Sequence, residues 1–165
     1  MSTTETLRPT SDSAKALGVL VGPANYQDVD EDSKDDLTTY VFRNNAAYAE
    51  DVYGFGDHTG TGIVISVQIC AYSYGYVAYA DNRYKPLVKV GGTVYYGDEF
   101  DSADNDTFQL HSHTWSVNPD TGNGWTWAEI DALLAGIALK GTNSLTTQVY
   151  AVVTYEPFTP RVMIF

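Results

Sequence analysis

Residues Thr61–Tyr76 read TGIVISVQICAYSYGY, and this stretch decides the fold of the chain. From Ile63 to Ile69 the odd positions are all branched and apolar, whereas polar residues occur at even positions only. A period of two residues is typical of a β-strand that is buried on one face. The segment Gln148–Tyr155, QVYAVVTY, is apolar on both faces and is predicted to lie in the centre of the same core.

Other short strand-like runs follow at fairly even spacing, separated by turn sequences such as GDHTGTG, DNRYKP and VGGT. The 165 residues suit a single domain, and 13 tyrosines and 14 glycines against 9 lysines and arginines favour strands joined by turns. The sequence therefore predicts an all-β chain: an antiparallel β-sandwich or jelly roll over residues 16–156. Extended arms are expected at residues 1–15 and 157–165.

One segment has the pattern of a helix. Thr126 and Glu129 have the spacing of a capping box. Apolar residues then recur at i, i+3, i+4 and i+7, at Ile130, Leu133, Leu134 and Ile137. These features predict one short amphipathic helix over about residues 127–139, which closes an open end of the sandwich.

Charge and composition argue against several classes of protein. A net charge of -12 disfavours nucleic acid, whose binding depends on lysine and arginine. No apolar run is long enough to span a membrane, and the N-terminal residues do not resemble a signal peptide. Cys70 is the only cysteine, and no known catalytic motif occurs, so we expect no disulfide within the chain, no enzyme activity and no cofactor.

The candidate metal ligands lie in two short motifs and are Asp28, Asp30, Asp32, His111 and His113. The three aspartates have the spacing of the first positions of an EF-hand loop, but Ser33 and Thr39 stand where that loop needs glycine and glutamate. The two histidines would share one face of a strand, without a third ligand nearby in sequence. The sequence therefore predicts no metal site, with these residues as the alternative.

Two groups of side chains are candidate contact residues. Tyr72, Tyr74 and Tyr76 alternate along one strand and should share a face, where they could pack in the core, contact a second subunit or stack on sugar rings. The chain ends in an apolar group that we expect to dock on a neighbouring subunit: Phe158, Val162, Met163, Ile164 and Phe165. Both groups are consistent with a homo-oligomer.

Several segments in order resemble virion structural proteins of tailed bacteriophages and environmental viral sequences. They are LRP at residues 7–9, LTTYV, DVYGFGD, NPDTGNGWTWAEIDALLAGIAL and VYAVVTYEP, and the resemblance covers most of the chain. It implies a jelly-roll-like sandwich on the outside of a virus particle, made in the host cytoplasm. The implied role is a capsid decoration protein, with a tail or fibre component as the alternative.

The same resemblance implies partners. They are further copies of the chain, with a trimer favoured, and other virion proteins such as the major capsid protein; a host-surface glycan is a further candidate ligand. Two functions from other classes stay open, namely a carbohydrate-binding β-sandwich and a subunit of a cellular surface filament.

Overall fold

The computed structural model describes residues 1–75, 81–101 and 107–158. Five of the predicted contact residues lie outside this part of the chain. They are Tyr76, Val162, Met163, Ile164 and Phe165. The strands are β1 Thr3–Leu7, β2 Pro9–Ala14, β3 Gly18–Val19, β4 Val41–Phe55, β5 Ile63–Gly75, β6 Arg83–Val90, β7 Thr93–Tyr96, β8 Phe100–Asp101, β9 Gln109–Trp115 and β10 Leu134–Glu156. One α-helix, α1, spans Trp127–Asp131, and a 3-10 turn spans Asn25–Asp28.

Strand β10 organises the fold because it has neighbours along most of its length. Its residues 134–139 lie between β4 and β6. Its second half pairs with β5 on one edge. On the other edge, residues 151–155 pair with β1. All of these pairings are antiparallel. The first half of β10 thus belongs to a layer with β2, β4, β6 and β7, and the second half to a layer with β1, β5 and β9.

The change of layer occurs at residues 141–143 of β10. Gly141 has a φ of 109° and Asn143 a φ of 58°, both in the region that side chains disfavour, and the register against β4 shifts at this point. A Cβ atom on Gly141 would lie 2.1 Å from Oδ1 of Asn82. Glycine is therefore required at this bend both by the backbone conformation and by the space around it.

The two layers share one hydrophobic core. Tyr53, Ile137 and Leu139 enter it from the first layer, and Ile69 and Val149 enter it from the second. The helix α1 adds Ile130, which is fully buried. This arrangement confirms the predicted antiparallel β-sandwich, and it confirms that the segment Gln148–Tyr155 lies in the centre.

The predicted helix is wrong beyond residue 131. Its N-terminus is confirmed, since the Thr126 side chain accepts a hydrogen bond from the Glu129 backbone and the Glu129 carboxylate accepts one in return. Leu134 and Ile137, however, belong to β10. The sequence also fits a strand in which the alternate residues Ala135, Ile137 and Leu139 point into the core. Pairing with β4 and β6 favours this strand over the helix. No helix in the described part of the chain is both long and apolar enough to cross a bilayer.

The predicted buried face of β5 is wrong at its first residues. Ile63 and Ile65 are 63% and 40% exposed, whereas Val67 and Ile69 are buried. The cause is a β-bulge at Ile65, which is the extra residue opposite the pair Thr154–Tyr155 of β10. An extra residue exchanges the two faces of a strand, so the period of two is broken at this point.

The predicted N-terminal arm forms two strands of the sandwich. Residues Thr3–Leu7 pair with β10 and residues Pro9–Ala14 pair with β4, so the backbone of this polar segment is hydrogen-bonded to the layers. Leu7 is buried in the core, which anchors the segment. At the other end of the described chain, Phe158 is 72% exposed.

Candidate functional site

A groove of about 330 Å³ lies on the outward face of the second layer. We call it the first groove. Its lining residues are Thr6, Arg8, Asp32, Ser33, Lys34, Tyr72, Gln148 and Tyr150. Since Val149 and Ala151 point into the core, Tyr150 between them points outward. The groove is therefore built on two paired central strands, β5 and β10, which form a rigid support.

Arg8 lies against one wall of this groove. Its guanidinium carbon lies 4.7 Å from the centre of the Tyr150 ring, a cation–π distance. Its Nη2 atom donates a hydrogen bond to the carbonyl oxygen of Asp32 at 3.0 Å, and the Asp32 carboxylate lies 3.9 Å from Nε. Arg8 thus has one orientation, set by the ring on one side and the loop at Asp32 on the other.

The residue opposite Tyr150 on the neighbouring strand is Cys70, which carries a thiol. Burial, followed by the effect of this thiol, raises the pKa of Tyr150 to about 12. The hydroxyl is therefore neutral over the whole physiological range. Cys70 itself is 3% exposed.

Tyr72 and Gln148 face each other across β5 and β10. The Gln148 amide donates from Nε2 to the carbonyl oxygen of Glu31 at 2.5 Å, which orients the amide and ties the acidic loop to the sheet. Tyr72 is partly exposed and forms no ring–ring or cation–ring contact with the described residues. The first groove therefore combines two aromatic rings, of which that of Tyr150 lies against Arg8, with oriented amide and guanidinium groups.

Of the predicted tyrosines, Tyr72 and Tyr74 lie two residues apart on β5 and each lines a groove. Tyr74 is only 8% exposed, because Phe108 packs on it with ring centres 5.3 Å apart. No pattern in the sequence marks Arg8 or Tyr150 as a groove residue. Their only local signal is that each lies next to a buried apolar position of a strand, which many surface residues share.

The two histidines share a face of β9, as predicted, but they have separate partners. His111 lies between the rings of Tyr84 and Phe100, at 5.3 and 4.7 Å between centres, and burial lowers its pKa. His113 lies with Nδ1 3.1 Å from the carboxylate of Asp98. Each ring is thus used in packing or in a hydrogen bond.

The three candidate aspartates also do not converge on one point. Asp28 is buried and accepts hydrogen bonds from two backbone N–H groups at 3.0 and 3.1 Å. Burial raises the pKa of Asp30, whereas the Asp32 side chain is fully exposed beside Arg8. Within the described residues, no three His, Cys, Asp or Glu side chains are placed to hold a metal ion.

A buried polar cluster lies under the segment that joins β2 to β4. Oδ1 of Asp51 accepts hydrogen bonds from the backbone N–H groups of Ala16 and Leu17, at 2.7 and 2.9 Å. Oδ2 accepts them from Asn25 at 2.6 Å and from the Tyr53 hydroxyl at 3.2 Å. Burial raises the pKa of Asp51, because removal from water disfavours the charged carboxylate more than these hydrogen bonds favour it.

Lowering the pH from 7 to about 5 should stabilise the protein. Burial raises the pKa values of four carboxyl groups: Asp28, Asp30, Glu31 and Asp51. In the folded state these groups hold protons that the unfolded chain has already released, so stability is lost as the pH rises from the ordinary carboxyl pKa of about 4 through the raised values. The lowered pKa of His111 acts in the opposite direction below about pH 6.5, but it is one group against four. Thermal unfolding over a pH series measures this effect, and a melting temperature that falls between pH 7 and about 5 would contradict it.

The gain should reverse in stronger acid. Hydrogen bonds from Tyr48 and His58 lower the pKa values of Glu99 and Asp131, respectively. Their stabilising contribution is therefore lost as the pH falls from about 4 through the lowered values. We therefore expect a maximum of stability on the acidic side of neutrality.

Comparisons with known proteins give little further information. No family model matches the sequence, and no curated protein sequence matches it. Among solved structures, the chain is similar to a carbohydrate binding module, CBM6cm-2, from Cellvibrio mixtus lichenase 5A, in complex with cellotriose. The identity is 9%, the TM-score is 0.38, and the match covers 93% of this chain and 98% of that chain. So remote a likeness carries no assignment of function.

Proposed function

We propose that the chain is a non-catalytic β-sandwich that binds a carbohydrate in the first groove. The observation that carries this proposal is the outward Tyr72 ring beside two oriented polar groups, Arg8 and Gln148. An aromatic ring can stack on the apolar face of a sugar, while guanidinium and amide groups bind its hydroxyls. A concave site with a few fixed polar groups is also the usual form of a small-ligand site.

Preorganisation supports the same proposal. Arg8 is already held by Tyr150 and Asp32, and Gln148 is held by Glu31. Side chains that are ordered before binding lose little conformational entropy when the ligand arrives. The groove would therefore bind a sugar without first rearranging its walls.

Binding should be detected on a glycan array and should depend on Tyr72. For a glycan that binds, Tyr72→Ala is expected to weaken the affinity at least about tenfold, roughly 1.4 kcal/mol, because the stacking surface is removed. Isothermal titration calorimetry measures this loss. Tyr72→Phe should retain most of the affinity, since it keeps the ring.

The matched control is Tyr96→Ala. Tyr96 is 48% exposed and lies on β7 in the other layer, so its loss should leave the affinity unchanged. The proposal is wrong if no glycan binds, or if the Tyr72→Ala and Tyr96→Ala proteins bind equally well.

A role as a virion structural protein is the second candidate, as a capsid decoration protein or a tail component. Its support is the exposed apolar side chains of Ile63, Ile65 and Phe158 near the end of the described chain, which suit a contact with another subunit or with a capsid protein. Under this proposal, mass spectrometry of purified virions finds the chain at high copy number, and its solution mass is that of an oligomer such as a trimer. A host-surface glycan in the first groove would unite the two functions.

A further inference from the structure

A second groove, of about 270 Å³, adjoins the first groove at Lys34, whose side chain lines both. Its other walls are Asp36, Leu37, Tyr74, Thr107 and Phe108. The surface that it offers is mainly apolar, with the ring pair Tyr74–Phe108 on one side and the 57% exposed Leu37 on the other. It thus presents the kind of surface that stacks on a sugar ring.

Strand β5 links the two grooves. Tyr72 lines the first and Tyr74 lines the second, and residues two apart on a strand point to the same face, about 7 Å from each other. Strand β5 pairs with β9 in continuous register from Val67 to Ser73. The irregularity opposite Tyr72 and Ser73 lies in β10, where Thr147 is the extra residue, so β5 itself has no extra residue between Tyr72 and Tyr74. The grooves therefore follow one another along a single face.

The two grooves carry as many carboxylates as cations, although Nη1 of Arg8 has no hydrogen-bond partner among the described residues. Arg8 lies beside Asp32, and Lys34 forms an ion pair with Asp36, so two cations face two carboxylates. The chain as a whole carries a net charge of -12, which repels polyanions. These charges favour a neutral ligand.

We propose that the two grooves form one extended site for a neutral, linear polysaccharide, with Lys34 at the junction between two subsites. This inference rests on the proposed function and extends it, since it specifies a polysaccharide and not a single sugar as the ligand. Once one subsite holds part of a chain, the other binds the next part at a high effective concentration. Affinity should therefore increase with chain length until both subsites are filled.

The test is calorimetry of the full chain with neutral cello-, xylo- and manno-oligosaccharides, from disaccharide to hexasaccharide. For a series that binds, the affinity should rise at least about tenfold from the shortest to the longest member and then level off. Phe108→Ala should remove most of this rise while changing the disaccharide affinity less than about twofold. Tyr72→Ala should weaken binding at every length.

A second variant protects the test against a folding defect. Leu37 is exposed on a loop, so Leu37→Ala should fold normally and should reduce the affinity for the hexasaccharide but not for the disaccharide. Equal affinities at all lengths, or unchanged hexasaccharide binding in both variants, would overturn the extended site and leave carbohydrate binding itself intact. If negatively charged oligogalacturonates bound more tightly than the neutral oligosaccharides, the proposal of a neutral ligand would be wrong. A chain that binds no glycan of any kind would contradict the proposed function as well.

Discussion

Gly136→Ala is expected to lower the free energy of unfolding by about 3 kcal/mol or more. A Cβ atom at this position would lie 1.9 Å from the carbonyl oxygen of Asp51 and 3.1 Å from the Cα atom of Val52, both in the backbone of β4. A side chain could move aside, but the β4 backbone is held by its pairing with β10 on one edge and β2 on the other. The substitution must therefore disturb the centre of the first layer.

The sign of this effect distinguishes the strand from the predicted helix. If residues 127–139 were helical, the same substitution would stabilise the chain by about 1 kcal/mol, since alanine is the better helix former. Denaturant unfolding with circular dichroism measures the difference. Gly124→Ala is the matched control, because a Cβ there meets no atom within 4 Å, and its effect should be within about 0.5 kcal/mol. A Gly136→Ala protein as stable as the wild type would show that the strand assignment is wrong.

Asp51→Ala should cost about 3–5 kcal/mol of stability. The carboxylate accepts four hydrogen bonds, and its removal leaves two backbone donors, the Asn25 amide and the Tyr53 hydroxyl without this acceptor. Asp51 and Tyr53 are fully buried and Asn25 is 4% exposed, so water cannot replace the lost oxygen atoms without opening the structure. The segment between β2 and β4 would then be released from the sandwich.

Two measurements test this role of Asp51. Chemical denaturation gives the loss of stability, and hydrogen exchange should show faster exchange at the amides of Ala16 and Leu17. Asp57→Ala, at an exposed position, serves as the control and should change stability by less than about 0.5 kcal/mol. Unchanged exchange at both amides would contradict the proposed anchoring.

The candidate site shows where sequence reasoning succeeds and where it stops. Tyr72 and Tyr74 were predictable as neighbours on one face, because alternation along a strand is a local property. Gln148 and Tyr150 come from β10, and Arg8 lies between β1 and β2. Their meeting with Tyr72 depends on the register of β10 against β5 and on the path of the chain after β1. Register is a property of pairs of strands, which a single strand sequence does not contain.

The sequence alone determined the all-β class, the central strand at Gln148–Tyr155 and the start of α1. Each of these depends on a pattern within a few consecutive residues, such as the period of two or the capping box at Thr126 and Glu129. Only the tertiary structure decided that residues 134–139 are a strand, that Ile63 and Ile65 face outward, and that the first residues join the layers. The physical reason is that hydrogen-bond partners from distant parts of the chain supply the deciding free energy where local patterns fit two conformations.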